Sequence, residues 1–352
     1  MRLILANPRG FCAGVYMAID VVDQLLGMLD GEPFFVYHDI VHNRHVVDRF
    51  KERGVTFVED IEEVPEGSII VFSAHGVSPA VREAGARRGL TMIDATCPLV
   101  TKVHVEAIQY ARRGWQILLV GHHDHQEIIG TKGEAPESIQ VVDSVECIPG
   151  LRIDDPSKLV YLTQTTLSMD DASTIITALK EAFPEISSPP KEDICYATTN
   201  RQLAVRHLAP HCDLVLVVGS KHSSNSVRLT EIAELNGSRA RLIDDVDDLD
   251  DAIFDGVDTV LVTAGASAPE DLVQALILEL VNVHGCEVEQ HDIFHESVEF
   301  GLPGSLRKFM RSRKVETDGR RIEMDDLAAT NRFLELHGIP YTVVDLTVNA
   351  TD

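Results

Sequence analysis

The sequence predicts an α/β protein built from three pseudo-equivalent α/β units with mainly parallel sheets, and three observations lead there. Short β-branched runs alternate with helical apolar patterns from one end to the other, as in strand–helix–strand units whose sheets run parallel. Three cysteines, Cys12, Cys97 and Cys195, each open a helical pattern, at intervals of 85 and 98 residues. Beyond each cysteine, two further strands end in polar loops at similar offsets.

The elements follow in order. "LILAN" (3–7) is a strand, and the apolar pattern over 14–28, behind "GFCAGV", is a helix. "FFVYHDIV" (34–41), "SIIVFSA" (68–74) and "TMIDAT" (91–96) are rich in residues that suit a pleated, buried surface. A helix over 99–112 begins behind "DATCP", where Pro98 suits a first turn. "QILLVG" (116–121) and "KLVYLT" (158–163) are the next strands, 171–182 the next helix, and the proline-rich "SSPPKED" (187–193) reads as a linker. The strands "DLVLVVG" (213–219), "ARLI" (240–243) and "TVLVTA" (259–264) and a helix over 269–283 complete the pattern. The acidic "IDDVDDLDDAIFD" (243–255) reads as a solvated helix face with its N-terminal turn. Boundaries drawn at the cysteines give units 1–96, 97–193 and 194–306, with a segment 307–352 of unassigned role.

Composition narrows the function. A 352-residue chain with 44% hydrophobic residues can bury a sizeable core. A net charge of −25, with no basic stripe before the C-terminal segment, argues against nucleic acid as a partner. Apolar runs are too short for a membrane span or a secretory signal, so a soluble, cytoplasmic protein is expected. Six cysteines without paired spacing do not make a disulfide framework.

Open parallel sheets gather ligands at the C-terminal ends of their strands. The loops at those ends carry His42, His125 and Ser223, at 30, 28 and 28 residues from the cysteines, then His75, Thr165 and Ser267, at 63, 68 and 72. A thiol at a helix N-terminus is predisposed to ligate metal, because the helix stabilises its thiolate. Three thiolates from distant units suit an iron–sulfur cluster better than zinc, which draws four ligands, usually in pairs from short loops. In a cubane cluster they leave one iron open. "GHHDHQE" (121–127) at first sight resembles a zinc site, but on this reading His125 and Glu127 face a substrate beside that iron. His42, His75, His125, Ser223, Ser224, Asn225 and Ser267 form a set of donors for an anion such as phosphate. No Walker or G-x-G-x-x-G loop is present. Cys147, Cys212 and Cys286 lack the repeat placement and are read as structural.

"GFCAGV", "VHNR", "SAHGVS", "DATCPLVTKVH", "TQTTLS", "DICYATTNRQ", "GSKHSSNS" and "TAGASAP" together resemble the 4-hydroxy-3-methylbut-2-enyl diphosphate reductase (LytB) family, from Met1 to about Arg307. The resemblance implies one [4Fe-4S] cluster per chain on Cys12, Cys97 and Cys195, with one open iron. It implies reductive removal of the hydroxyl of an allylic diphosphate, with electrons from an external donor of the ferredoxin or flavodoxin type. The implied diphosphate contacts are His42, His75, His125, Ser223, Ser224, Asn225 and Ser267; Thr165 stands near the substrate hydroxyl, and Glu127 is the acid. Gln126 departs from the proline common there in the family, which bears on loop stiffness. A redox-neutral iron–sulfur dehydratase and a non-catalytic iron–sulfur sensor are the alternatives; the first consumes no reductant and the second binds no diphosphate. The segment after Arg307 lies outside the resemblance, and its basic run "RKFMRSRKVETDGRR" is read as packing on the acidic body or docking on an acidic carrier. As an accessory segment, its removal after Leu306 is expected to spare turnover with a small reductant.

Overall fold

Among the described residues every strand pairing is parallel, as strands joined through helices require. The computed structural model describes residues 1–316 and 326–347, with backbone alone over 326–328. Strand β1 (Arg2–Asn7) leads through the Cys12 loop into α1 (Ala13–Leu29). The chain then lays down β2 (Phe34–Tyr37), α2 (Arg44–Glu52), β3 (Thr56–Val58), β4 (Ile69–Phe72), α3 (Pro79–Arg87) and β5 (Thr91–Asp94), giving a sheet of order β3-β2-β4-β5. Next come α4 (Pro98–Arg112), β6 (Gln116–Val120), α5 (Gln126–Glu134), β7 (Ile139–Val142), β8 (Leu159–Thr163) and α6 (Met169–Ala182), with sheet order β7-β6-β8. Then follow α7 (Tyr196–Leu208), β9 (Leu214–Val218), α8 (Ser224–Leu235), β10 (Arg239–Ile243), β11 (Thr259–Ala264), α9 (Glu270–His284), β12 (Glu287–Asp292), α10 (Gly304–Ser312), α11 (Asp326–Leu336) and β13 (Tyr341–Asp345). The third sheet has the order β10-β9-β11-β1-β12-β13. No helix among the described residues is long and apolar enough to cross a membrane.

Sheet membership changes the units. β1, assigned by sequence to the first unit, pairs with β11 and β12 in the third sheet. Its unbroken apolar run explains why: Leu3 and Leu5 enter one core and Ile4 and Ala6 another, which only a strand covered on both faces can do. Each cysteine therefore closes a unit instead of opening one. Cys97 follows β5 of the first sheet and Cys12 follows β1 of the third. Cys195 follows a segment that lies beside β8, where Tyr161 N–H donates to Ser187 O at 3.1 Å and Ser187 N–H to Leu159 O at 2.9 Å.

That segment is the proline-rich stretch read as a linker, and it is tied down. Asp193, 3% exposed, accepts from Thr163 N–H at 2.9 Å and pairs with Lys102 at 2.6 Å. The acidic run is not a helix face. It forms two single 3₁₀ turns, Val246–Asp248 and Asp251–Phe254, capped by Asp245 and Asp250, because short aspartates bond nearby backbone N–H groups in competition with helix. Strands β3, β7 and β12 escape the sequence reading for local reasons: the first spans three residues, the second is short, and β12 reads "EVEQHD", with a single apolar residue.

The C-terminal segment packs on the body, with residues 317–325, including the end of its basic run at 317–321, outside the described residues. Leu306 and Met310 enter the core that holds Ile93 and Phe34. Ser305 Oγ accepts from Asp94 N–H at 3.0 Å. β13 pairs with β12, Leu334 is fully buried, and Arg9, itself paired with Glu270 at 2.7 Å, donates to Thr330 Oγ at 2.7 Å. A cut after Leu306 thus removes core, not an accessory tail. Leu334→Ala is expected to cost about 2–5 kcal/mol by opening a cavity, read as a lowered urea midpoint at unchanged slope; an unchanged midpoint would refute this packing role.

Candidate active site

The three cysteine loops are stitched to three site loops by main-chain hydrogen bonds. Cys12 N–H donates to Ala266 O at 3.2 Å, Cys97 N–H to Ala74 O at 2.9 Å and Cys195 N–H to Thr165 O at 3.0 Å. Each cysteine is thereby held beside Ser267, His75 or Thr165, the loop at the end of β11, β4 or β8. All three are N-caps, of α1, α4 and α7, with unpaired thiols. Each sulfur therefore stands at the open N-terminus of its helix, where the first-turn N–H groups lie. Thr198 N–H approaches Cys195 Sγ at 3.4 Å. Burial raises all three thiols, Cys195 to about 11. A metal must displace those protons to bind, and the helix N-termini lower the cost. Gly14 leaves room for this: a Cβ there would stand 2.7 Å from Cys97 Sγ.

The thiols line one cavity, and the structure brings every sequence-predicted site residue to its wall: His42, His75, His125, Glu127, Thr165, Ser223, Ser224, Asn225 and Ser267. His42 and His75 stack with ring centroids 3.8 Å apart, and His125 meets them edge-on at 5.4 and 6.0 Å. Burial first, then neighbouring histidines, lowers all three: His42 to about 4 beside His222 and His38, His75 well below its usual range beside His42 and His125, and His125 to about 3 beside His42 and His122. They enter the site as neutral rings. Asn225, 3% exposed, has neither amide atom bonded, and His42 Nε2 is likewise buried and unpaired. Buried polar atoms without partners are rare and mark a ligand's place when they line a cavity. Ser223 caps α8, while Ser224 and Ser267 donate to Thr166 O and His42 O at 3.0 and 3.1 Å, so these two hydroxyls must turn before they can donate to an anion.

Glu127 sits in the first turn of α5, 2% exposed. Its carboxyl accepts from Thr165 N–H at 2.7 Å and from Thr165 Oγ at 2.9 Å. Burial nevertheless pushes it up to about 7. That value suits a proton donor at neutral pH. His122 and His123 of "GHHDHQE" do not converge on it. His123 turns outward to Asp143 at 3.0 Å, and His122 Nε2 lies 3.4 Å from Arg228. Among the described residues no three His, Cys, Asp or Glu side chains close around one ion-sized point.

Sequence reasoning missed Thr198, whose hydroxyl lies 3.2 Å from Cys195 Sγ, and Arg201 with Glu296, 3.0 Å apart behind the Cys12 loop. Arg201 was findable. It occupies the inward stripe of α7 with Ala197, Ala204, Val205 and Leu208, and a charge at such a position implies a buried partner.

A family model described as "LytB protein" matches residues 3–281. The chain belongs to the LytB family. Relatives in this family include proteins named 4-hydroxy-3-methylbut-2-enyl diphosphate reductase from Rhodopirellula baltica, 53% identical over 88% of this chain and 97% of that one, and from Mycolicibacterium vanbaalenii, 53% identical over 87% and 91%. The solved E-1-hydroxy-2-methyl-but-2-enyl-4-diphosphate reductase of Plasmodium falciparum superposes with a TM-score of 0.86 at 40% identity, covering 89% of this chain and 99% of that one. A second LytB-type structure, titled (E)-4-hydroxy-3-methyl-but-2-enyl diphosphate reductase, the terminal enzyme of the non-mevalonate pathway, gives 0.58 at 31% identity, over 80% of this chain and all of that one. The chain thus shares the family's α/β fold with mainly parallel sheets, as the alternation of strand and helix patterns implied.

Proposed function

We propose that this protein is an oxidoreductase that converts 4-hydroxy-3-methylbut-2-enyl diphosphate to isopentenyl and dimethylallyl diphosphates, the last step of the methylerythritol phosphate route to isoprenoids. The curated relatives bear this reductase name, which favours it over a dehydratase or a sensor. The observation that carries it in this chain is a single cavity presenting three helix-capping thiols, a buried carboxyl and unpartnered buried donors. The reaction breaks the C–O bond, forms a C–H bond, takes up two electrons and two protons, and releases water.

Cys12, Cys97 and Cys195 would hold a [4Fe-4S] cluster, one per chain: their thiols share a cavity wall, Gly14 leaves space between two of them, and each caps a helix N-terminus. When bound, such a cluster supplies electrons and, with three protein ligands, one iron open as a Lewis acid. His42, His75, His125, Ser223, Ser224, Asn225 and Ser267 bind and orient the diphosphate, with Asn225 ready to bond without rearrangement. Glu127 holds the proton for the departing hydroxyl, and Thr165, bonded to it through both N–H and Oγ, passes that proton on. The electrons come from an external carrier of the ferredoxin or flavodoxin type. Unpaired thiols agree with a reducing, cytoplasmic setting.

Anaerobic purification followed by turnover of the hydroxylated diphosphate with a chemical reductant is the test; turnover without reductant, or none by cluster-loaded protein, would refute the proposal. Asn225→Ala removes a donor pair to a charged ligand and is expected to raise KM about tenfold or more, with kcat less affected. Asn or Gln at His122 and His123, whose rings lie outside the cavity wall, should change KM by less than about threefold.

A further inference from the structure

Arg201 is fully buried, and its position in the fold is unusual for so large a charged group. A buried guanidinium is unfavourable unless its donors are met. Here most of them turn toward the turn before Cys12: Nη2 donates to Gly10 O at 2.9 Å, Arg9 O at 3.4 Å and Phe11 O at 3.5 Å, and Nε to Gly10 O at 3.2 Å. Nη1 bonds Ala197 O and Glu296, each at 3.0 Å. Asn200 Nδ2 holds the same Glu296 oxygen at 3.0 Å.

We infer that Arg201 is a positioning residue that fixes the Cys12 loop and sets the local field at its sulfur, with Glu296 deciding how much of the positive charge is felt there. The inference rests on the cluster proposed above. Three consecutive carbonyls converging on one rigid donor fork leave the loop little freedom. The chain also reverses at Gly10, at φ +65°. Helix α7 thus carries Cys195 as its N-cap and, two turns on, the group that places Cys12. Tyr196 reinforces the link, its hydroxyl accepting from Ala13 N–H at 3.3 Å.

The electrostatic consequence has a sign. A guanidinium stays charged at any working pH, and its bonds to the carbonyls of Arg9, Gly10 and Phe11 hold that charge against the Cys12 loop, with Glu296 3.0 Å from it on the other side. A positive neighbour favours the more negative, reduced state of a thiolate-bound cluster. Neutralising Glu296 should strengthen this bias and removing Arg201 should abolish it, so the two changes move the potential in opposite directions. A purely structural role predicts no such opposition.

The experiment compares anaerobic, cluster-loaded wild type with Glu296→Gln, Arg201→Met and Arg201→Lys. Iron and sulfide content is measured, along with the midpoint by dye-mediated titration followed by EPR and the rate of iron loss to a chelator. Glu296→Gln is expected to raise, and Arg201→Met to lower, the reduced-to-oxidised ratio at fixed potential by about tenfold, about 59 mV for one electron. Arg201→Lys keeps the charge without the fork, so it should hold the midpoint near wild type and lose iron several-fold faster. Shifts of one sign in both variants, or none, would overturn the inference. If Arg201→Met does not fold, the upward shift of Glu296→Gln decides alone. A wild-type protein that holds no cluster overturns the cluster proposal, and this inference with it.

Discussion

Glu127→Gln is expected to lower turnover by about 10²-fold or more, the usual loss when a general acid is removed, while cluster content and substrate binding stay near wild type. The amide keeps the size of the carboxyl and a hydrogen bond to Thr165 but has no proton to give. The pH dependence separates this role from a structural one. With its carboxyl at about 7, wild type should lose activity as pH rises through that value, because the ionised form cannot protonate the leaving oxygen. A bound diphosphate moves that limb upward, since adjacent negative charge favours the protonated form. The Gln variant should lack the limb. Stability follows the same sign: the folded value lies above the ordinary 4.5, so wild-type stability declines as pH climbs between about 4.5 and about 7, and the variant should be spared. A pH-independent wild-type rate, or near-normal turnover by Glu127→Gln, would remove Glu127 from the mechanism.

Serine at Cys12, Cys97 or Cys195 should reduce anaerobically measured iron and sulfide by about tenfold or more, since loss of a direct ligand exceeds the 10–100-fold typical of outer partners. The same change at the other three cysteines provides the control. Cys147 bonds Asp143 at 3.0 Å near the surface of the second unit, Cys212 donates to Leu208 O at 3.3 Å, and Cys286 is buried in the third-sheet core. None of the three lines the cavity. Equal losses from both sets would overturn the ligand assignment.

The periodic patterns were enough to determine the main strands and the helices over α1, α4, α6 and α9, because alternation and capping are local properties that neighbouring residues settle among themselves. The polar residues of the site were legible for a related reason: in a parallel sheet any loop at a strand's C-terminal end faces the same rim, whichever strand lies beside it. Pairing partners were not legible. β1 precedes the first unit in the chain yet completes the third sheet, since a strand buried on both faces carries no mark of which neighbours bury it. Distance in sequence hid the rest. Asp193 is held by Lys102, Arg9 by Glu270 and Thr330, and Arg201 by Glu296 and the carbonyls before Cys12. Each is a charge whose burial makes sense only beside a partner about 90 to more than 300 residues away. Tertiary structure alone decided those partnerships, because desolvation acts on whatever the fold brings together and leaves no period in the chain.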